Sequence, residues 1–227
     1  MNSIMKKTMR RRNKKVSNKV MKKTKQKGKD KKDKKEKINL TPYLVLNQKD
    51  VNLLYHITKI TIDILDKAKI DYWAEGGTLI GVMRSKGFIP WDDDVDISID
   101  IKDKSRLMKL KGKFKELKLD LVGVGRYVKV KDPTNKNVWI DIFYLNNGIY
   151  PQKHYDIYNY KPGELYPLKK GKFGPFKMKI ANKSGQYLDR CYKDWRKIAY
   201  IYNHHTKGKK KVSFKDYPEL KKPKLPN

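Results

Sequence analysis

Trp91-Asp92-Asp93-Asp94-Val95-Asp96-Ile97-Ser98-Ile99 sets three consecutive acids against an alternation of apolar and polar residues. That alternation has the period of a half-buried strand, so Val95, Ile97 and Ile99 enter a core while Asp94 and Asp96 project together from the other face. Two carboxylates side by side repel, and a divalent cation between them relieves the repulsion. Hard oxygen donors of this kind suit Mg²⁺ or Mn²⁺. Asp92 shares the parity of Asp94 and Asp96, whereas Asp93 points the other way once the strand has begun, which ranks Asp92 above Asp93 as a further ligand. Alone, an Asp-x-Asp is a weak signal, because acidic turns at strand starts are common.

Two neighbouring stretches strengthen it. Upstream, Tyr72-Trp73-Ala74 reads as a strand that runs through Glu75 into Gly76-Gly77-Thr78 and a short helix reaching about Arg84. A glycine pair there leaves the backbone N–H groups and the positive end of the helix dipole open to a phosphate. Downstream, Trp139-Ile140-Asp141-Ile142-Phe143 buries one acid in an otherwise apolar strand. A lone carboxylate in that position is costly unless a cation or a lysine partners it. Arg84 and Lys86, between the glycine turn and the acids, are placed to reach donor phosphates, the arginine by a bidentate fork and the lysine as a point charge. Trp73, Trp91 and Trp139 are assigned to packing.

Outward from this centre, Asn47 to about Lys69 carries apolar residues at helical spacing, with Asn47 and Asp50 suited to its start. Lys104–Leu117 reads as one amphipathic helix, and Leu119–Val124, Tyr127–Val130 and Val138–Leu145 read as strands. The fold class that follows is α/β (α+β). Residues 1–37 hold 18 Lys or Arg against three acids and too little apolar surface to offset their ordering entropy, so a disordered basic tail is expected there. One domain is expected over 38–206, and a loose basic tail, punctuated by Pro218, Pro223 and Pro226, over 207–227.

The formal net charge of the 227 residues is +32, which implies a polyanionic partner, an anionic substrate or a compositional bias. The 1–37 tail could supply polyanion binding, or could simply be solvated. The abundance of Lys, Ile, Asn and Tyr fits an AT-rich coding sequence. A single cysteine, Cys191, excludes an internal disulfide and a zinc finger of ordinary spacing. No apolar run reaches the roughly 18–20 residues of a membrane span, and the N-terminus lacks the apolar segment of a signal peptide, so a cytoplasmic location is expected.

The run from Tyr72 through Gly76-Gly77-Thr78-Leu79-Ile80-Gly81, then Arg84 and Lys86-Gly87-Phe88-Ile89-Pro90-Trp91-Asp92-Asp93-Asp94-Val95-Asp96, closely resembles the signature of the LicD/fukutin-related family. The resemblance continues through Trp139–Phe143, Leu165-Tyr166-Pro167-Leu168-Lys169-Lys170, Tyr187–Tyr192 and Asp194-Trp195. It implies a nucleotidyltransferase fold, a small mixed sheet flanked by helices, and transfer of phosphocholine or a polyol phosphate from a CDP-linked donor to a glycan or other hydroxyl acceptor. On the matching positions it implies Mg²⁺ held by Asp94, Asp96 and Asp141, with Asp92 beside them, and donor phosphates near Gly76, Gly77 and Thr78. Lys169 and Lys170 match a basic step in the family and are a second candidate contact for phosphate. Asp141 is the candidate to orient or deprotonate the acceptor hydroxyl. Two other functions are compatible with the residues: a nucleotidyltransferase acting on nucleic acid, with the basic tail supplying affinity, and a catalytically inactive binding protein of the same fold.

Overall fold

The computed structural model describes residues 38–43, 46–203 and 208–227. Everything below concerns the compact unit Asn39–Asn227; the expected basic tail over 1–37 lies outside the described residues. The first long element is helix α1, Gln48–Lys67. It starts as expected, the Asn47 side chain accepting from the Asp50 N–H at 2.9 Å. Buried Asp50 in turn receives the side-chain amides of Asn47, Asn135 and Asn137, so no unpaired charge is left under the helix. Val51, Leu54, Ile57 and Leu65 are among the residues that α1 buries in the core.

After α1 come β1 (Tyr72–Ala74), α2 (Gly76–Ile80), a π-helical turn over Gly81–Ser85, and β2 (Val95–Asp100). The expected single helix over Lys104–Leu117 is instead two short ones, α3 (Lys104–Lys109) and α4 (Lys111–Glu116), which turn at Leu110 and bury Leu107 and Phe114. Gly112 just past the break weakens helical continuity, which an apolar count alone does not register. Strands β3 (Asp120–Gly123), β4 (Tyr127–Lys131) and β5 (Ile140–Leu145) follow. They complete a five-stranded mixed sheet in the order β1-β2-β5-β4-β3, in which β2 and β5 are parallel and the other pairs antiparallel. The α/β class is therefore as expected. Val95, Ile97, Val128, Val130, Ile140 and Ile142 all turn to the core, so the opposite face at the same level is free to carry polar groups.

The chain then forms a hairpin of β6 (Lys169–Phe173) and β7 (Phe176–Ile180), helix α5 (Ser184–Cys191), and a second hairpin of β8 (Ile198–Asn203) and β9 (Gly208–Ser213). The expectation of a loose tail over 207–227 is corrected for its described residues, 208–227. Val212, Phe214, Tyr217 and Leu220 join Leu40, Ile89, Trp91, Ala199 and Ile201 in a second, smaller core. Farther on, the Lys224 backbone bonds Phe88 in an isolated bridge, its carbonyl accepts from the Tyr55 hydroxyl, and its ammonium reaches the Leu46 carbonyl at 2.5 Å. The lysines hide this packing: in β9 only Val212 is buried, so no apolar alternation announces the strand. Among the described residues, no helix is long and apolar enough to cross a membrane.

Candidate active site

The acids are assembled by strand register. Parallel pairing sets Asp96 of β2 opposite Asp141 of β5, and antiparallel pairing sets Lys129 of β4 opposite Asp141. Three adjacent strands therefore carry Asp96, Asp141 and Lys129 in one row, on the face away from Ile97, Ile142 and Val130. Asp94 immediately precedes β2 and closes the group. One carboxylate oxygen from each of Asp94, Asp96 and Asp141 lies within 4.8 Å of the others. Octahedral Mg²⁺, with ligands at about 2.1 Å, would hold its oxygens about 3 to 4.2 Å apart, a separation close to the one these three side chains present.

The upper edge of the site is the turn from β1 into α2. The Glu75 N–H continues the ladder to the Asp96 carbonyl at 3.0 Å, and the Asp96 N–H returns a bond to the Thr78 hydroxyl at 2.9 Å. Thr78 thus locks the Asp-x-Asp strand to the glycine turn. Gly76 has φ +51°, and a Cβ added there would stand 2.9 Å from Asp96 Oδ2. A Cβ on Gly77 would stand 2.3 Å from Asp92 Oδ2. Each glycine is therefore required by the approach of one particular carboxylate, a sharper role than an open phosphate cradle.

The electrostatics agree with an acid cluster awaiting positive charge. Burial, and then the neighbouring aspartates, raise the Asp92 and Asp96 carboxyls well above the usual range, and the same causes push Asp94 up to about 7. Burial also raises Asp141, against the opposing pull of Lys129. The Lys129 ammonium stands 3.0 Å from Asp141 Oδ1, donates to Oδ2 at 3.2 Å, and lies over the Trp139 ring, 4.2 Å from its centroid. Asp141 Oδ1 is buried and receives no well-directed hydrogen bond among the described residues, its close neighbour being the Lys129 ammonium of that ion pair. Three convergent carboxylates, with a single lysine as counter-ion to one of them, fit a hard divalent cation.

Sequence reasoning passed over Lys129, because a lysine between Val128 and Val130 looks like the solvent side of a strand. Glu75 also went unassigned. It is buried, accepts from the Trp73 indole at 2.7 Å and the Tyr187 hydroxyl at 3.3 Å, and is pushed up to about 7 by burial. Strand parity does not place Asp92: β2 begins only at Val95, and Asp92 reaches Gly77 through the preceding turn.

The basic candidates separate. Arg84 faces the same cleft as Gly77, Asp92 and Asp93, its guanidinium lying 5.5 Å from the Trp91 ring and 4.7 Å from Phe214. Burial lowers it to about 10 in spite of Asp92, and Nη2 is buried with no hydrogen-bond partner among the described residues. Lys86 turns back instead, its ammonium hydrogen-bonding the Val82 and Met83 carbonyls at the end of the π-helical turn. Lys169 and Lys170 lie exposed on β6, and neither lines a cleft that the acids line. The structure does not bring these three lysines into the site.

Residues 69–183 match the LicD/FKTN/FKRP nucleotidyltransferase domain. The chain belongs to this family. A Rickettsia prowazekii (strain Madrid E) protein without an assigned function is 34% identical over 190 residues, 76% of this chain and 69% of the relative. Ribitol 5-phosphate transferase FKRP of Mus musculus is 27% identical over 149 residues, 60% of this chain but only 30% of FKRP. Lipopolysaccharide cholinephosphotransferase LicD of Haemophilus influenzae is 59% identical over a 34-residue match, 15% of this chain and 13% of LicD. The chain thus spans about two thirds of the rickettsial relative and less than a third of FKRP. The lincosamide antibiotic adenylyltransferase LnuA, solved with lincomycin, aligns at TM-score 0.42 and 15% identity over 73% of this chain and 95% of LnuA, a likeness too loose to add to the family assignment.

Proposed function

We propose that this chain is a Mg²⁺- or Mn²⁺-dependent transferase that moves a phospho-linked group from a CDP-linked donor to a hydroxyl acceptor such as a glycan. The observation that carries the reading is the convergence of Asp94, Asp96 and Asp141 within 4.8 Å, beside a glycine pair packed on Asp96 and Asp92. Membership in a family whose relatives include a ribitol 5-phosphate transferase and a cholinephosphotransferase supports the class of reaction.

Asp94, Asp96 and Asp141 would hold the cation, with Asp92 near enough to share a second. A bound divalent ion would offset the negative charge on the transferring group. The remaining work is positioning and charge compensation, which is most of what phosphoryl transfer asks of a protein. The acceptor oxygen forms a P–O bond as the P–O bond to the leaving CMP breaks, and the acceptor proton passes to Asp141. Lys129 holds that carboxylate in place. Arg84, with a guanidinium N–H to spare, binds donor phosphate and offsets charge on the departing nucleotide.

The test is release of CMP from a panel of CDP-linked donors with and without Mg²⁺. Asp94→Ala and Asp96→Ala should abolish the metal-dependent release and the calorimetric Mg²⁺ binding while leaving the far-UV circular dichroism unchanged. Full activity in either variant would remove the assignment.

A further inference from the structure

Two clefts meet the glycine pair, one at each glycine. One, of about 410 Å³, is lined by Gly77, Arg84 and Asp92; the other, of about 690 Å³, is lined by Gly76, Glu75 and Asp96. Tyr192 lines both and forms the partition between them. Consecutive glycines, each packed on a different aspartate, therefore face different cavities around one acid cluster. That is the layout a transfer reaction between two bound substrates requires.

The two walls differ in chemistry. The Arg84 cleft is lined by two cations, exposed Lys193 and half-buried Arg84, and a third, Lys211, lies outside the lining but 5.5 Å from the ring of Tyr200, which lines it. Arg84 is held by two aromatic rings and by a 2.9 Å bond to the Trp195 carbonyl, so its partnerless Nη2 is fixed rather than free to fold away. Trp91, Trp195 and the 55%-exposed Tyr200 supply flat apolar surface in the same cavity. Anion-binding nitrogens next to planar rings suit a nucleoside diphosphate, its phosphates on Arg84 and its base against the rings.

The second cleft is lined by the acids Glu75 and Asp96, by Arg126 and His154 as its basic side chains, and by six tyrosines. The rings run on from one another: Tyr150 lies 5.4 Å from Tyr155, Tyr155 6.3 Å from Tyr158, and Tyr158 5.5 Å from Tyr192 at the partition. Tyr144 presents a buried hydroxyl with no partner among the described residues. A row of hydroxyl-bearing rings over carboxylates is a poor seat for a diphosphate and a good one for an uncharged polyhydroxylated molecule, which can stack on the rings and exchange hydrogen bonds with the hydroxyls.

We propose that the Arg84 cleft is the nucleotide-donor site and the tyrosine cleft the acceptor site, with Tyr192 as the divider across which the group passes. This rests on the transferase reading above. The probe is CDP with Mg²⁺, titrated calorimetrically into the full chain without acceptor. Arg84→Met should weaken CDP at least about tenfold, the scale of one lost charge-assisted contact. Because Arg84 is partly buried, the exposed-site variants Tyr200→Ser and Lys211→Glu serve as the independent measure, each lowering CDP affinity several-fold. Tyr155→Ser and Arg126→Glu should leave it within a factor of about two, a difference of roughly 0.4 kcal/mol. If instead the tyrosine-cleft variants weaken CDP while Tyr200→Ser and Lys211→Glu do not, the assignment of the clefts is reversed and the inference is overturned. Wild-type protein that fails to bind CDP at millimolar concentration would overturn the transferase reading itself.

Discussion

Replacing Gly77 by alanine adds one carbon 2.3 Å from Asp92 Oδ2 and 3.0 Å from Cγ. Ordinary contact at these atoms is near 3.4 Å, so the Asp92 carboxylate must retreat by about 1 Å, far outside the tolerance of roughly 0.2 Å for a metal or charge-binding geometry. The cost to folding is small. The clash is with the end of a side chain, and Gly77 lies in α2 without the positive φ of Gly76, so alanine recovers as much as about 1 kcal/mol of helix propensity. Net stability should stay within about 1 kcal/mol, or roughly 2–4 °C in Tm for a chain of this size. Function should not survive so lightly: CDP affinity and CMP release are expected to fall at least about tenfold, equivalent to some 1.4 kcal/mol. Gly76→Ala should lose function too and in addition lose about 1–2 kcal/mol of stability, because its φ of +51° penalises any Cβ. Gly112→Ala is the control, since its Cβ would meet nothing within 4 Å; it should match or exceed wild type in both assays. Differential scanning fluorimetry and calorimetric CDP titration on the three variants suffice. Gly77→Ala with wild-type affinity and wild-type turnover would refute the claim that this glycine exists to admit Asp92.

Lys129→Met leaves Asp141 beside Asp94 and Asp96 with no compensating charge; after allowance for the lysine's 26% side-chain exposure, the chelated protein should lose about 1–2 kcal/mol, or roughly 2–8 °C in Tm, and saturating Mg²⁺ should restore most of it. No Mg²⁺-dependent recovery in thermal melts would show that the lysine and the cation do not share this carboxylate. Arg190 ties the tyrosine-bearing segment to α5 through Glu164 at 2.5 Å and the Ile157 and Asn159 carbonyls at 2.9 and 3.0 Å. Arg190→Met should therefore raise the acceptor KM several-fold with CDP affinity unchanged, and an unchanged acceptor KM in steady-state kinetics would contradict that linkage. Deleting residues 1–37 should leave turnover on a small acceptor nearly the same; a collapse in that assay would make the basic segment part of the site.

The central sheet was legible because its signal is local. Val95, Ile97 and Ile99 alternate with polar partners, the single Asp141 interrupts an apolar run, and parity alone then places the acids on one face. What parity cannot supply is register between strands. That Asp141 stands opposite both Asp96 and Lys129 is a fact of pairing, and it turns a lysine that reads as surface into the counter-ion of the cluster. The tyrosine cleft was opaque for a related reason: Tyr150, Tyr155 and Tyr158 sit in a largely exposed segment with no periodic apolar pattern, and only the fold brings them to Tyr192 and Asp96. The C-terminal hairpin failed as a reading because its lysines outnumber its buried residues, though Val212, Phe214 and Leu220 suffice to seal a second core. That core also contains Trp91, one residue before Asp92, and Phe214, which packs on Arg84. The segment expected to be a second, loose tail therefore braces both the acidic turn and the guanidinium of the Arg84 cleft, and its residues belong with the site's scaffold rather than with its solvent-facing ends.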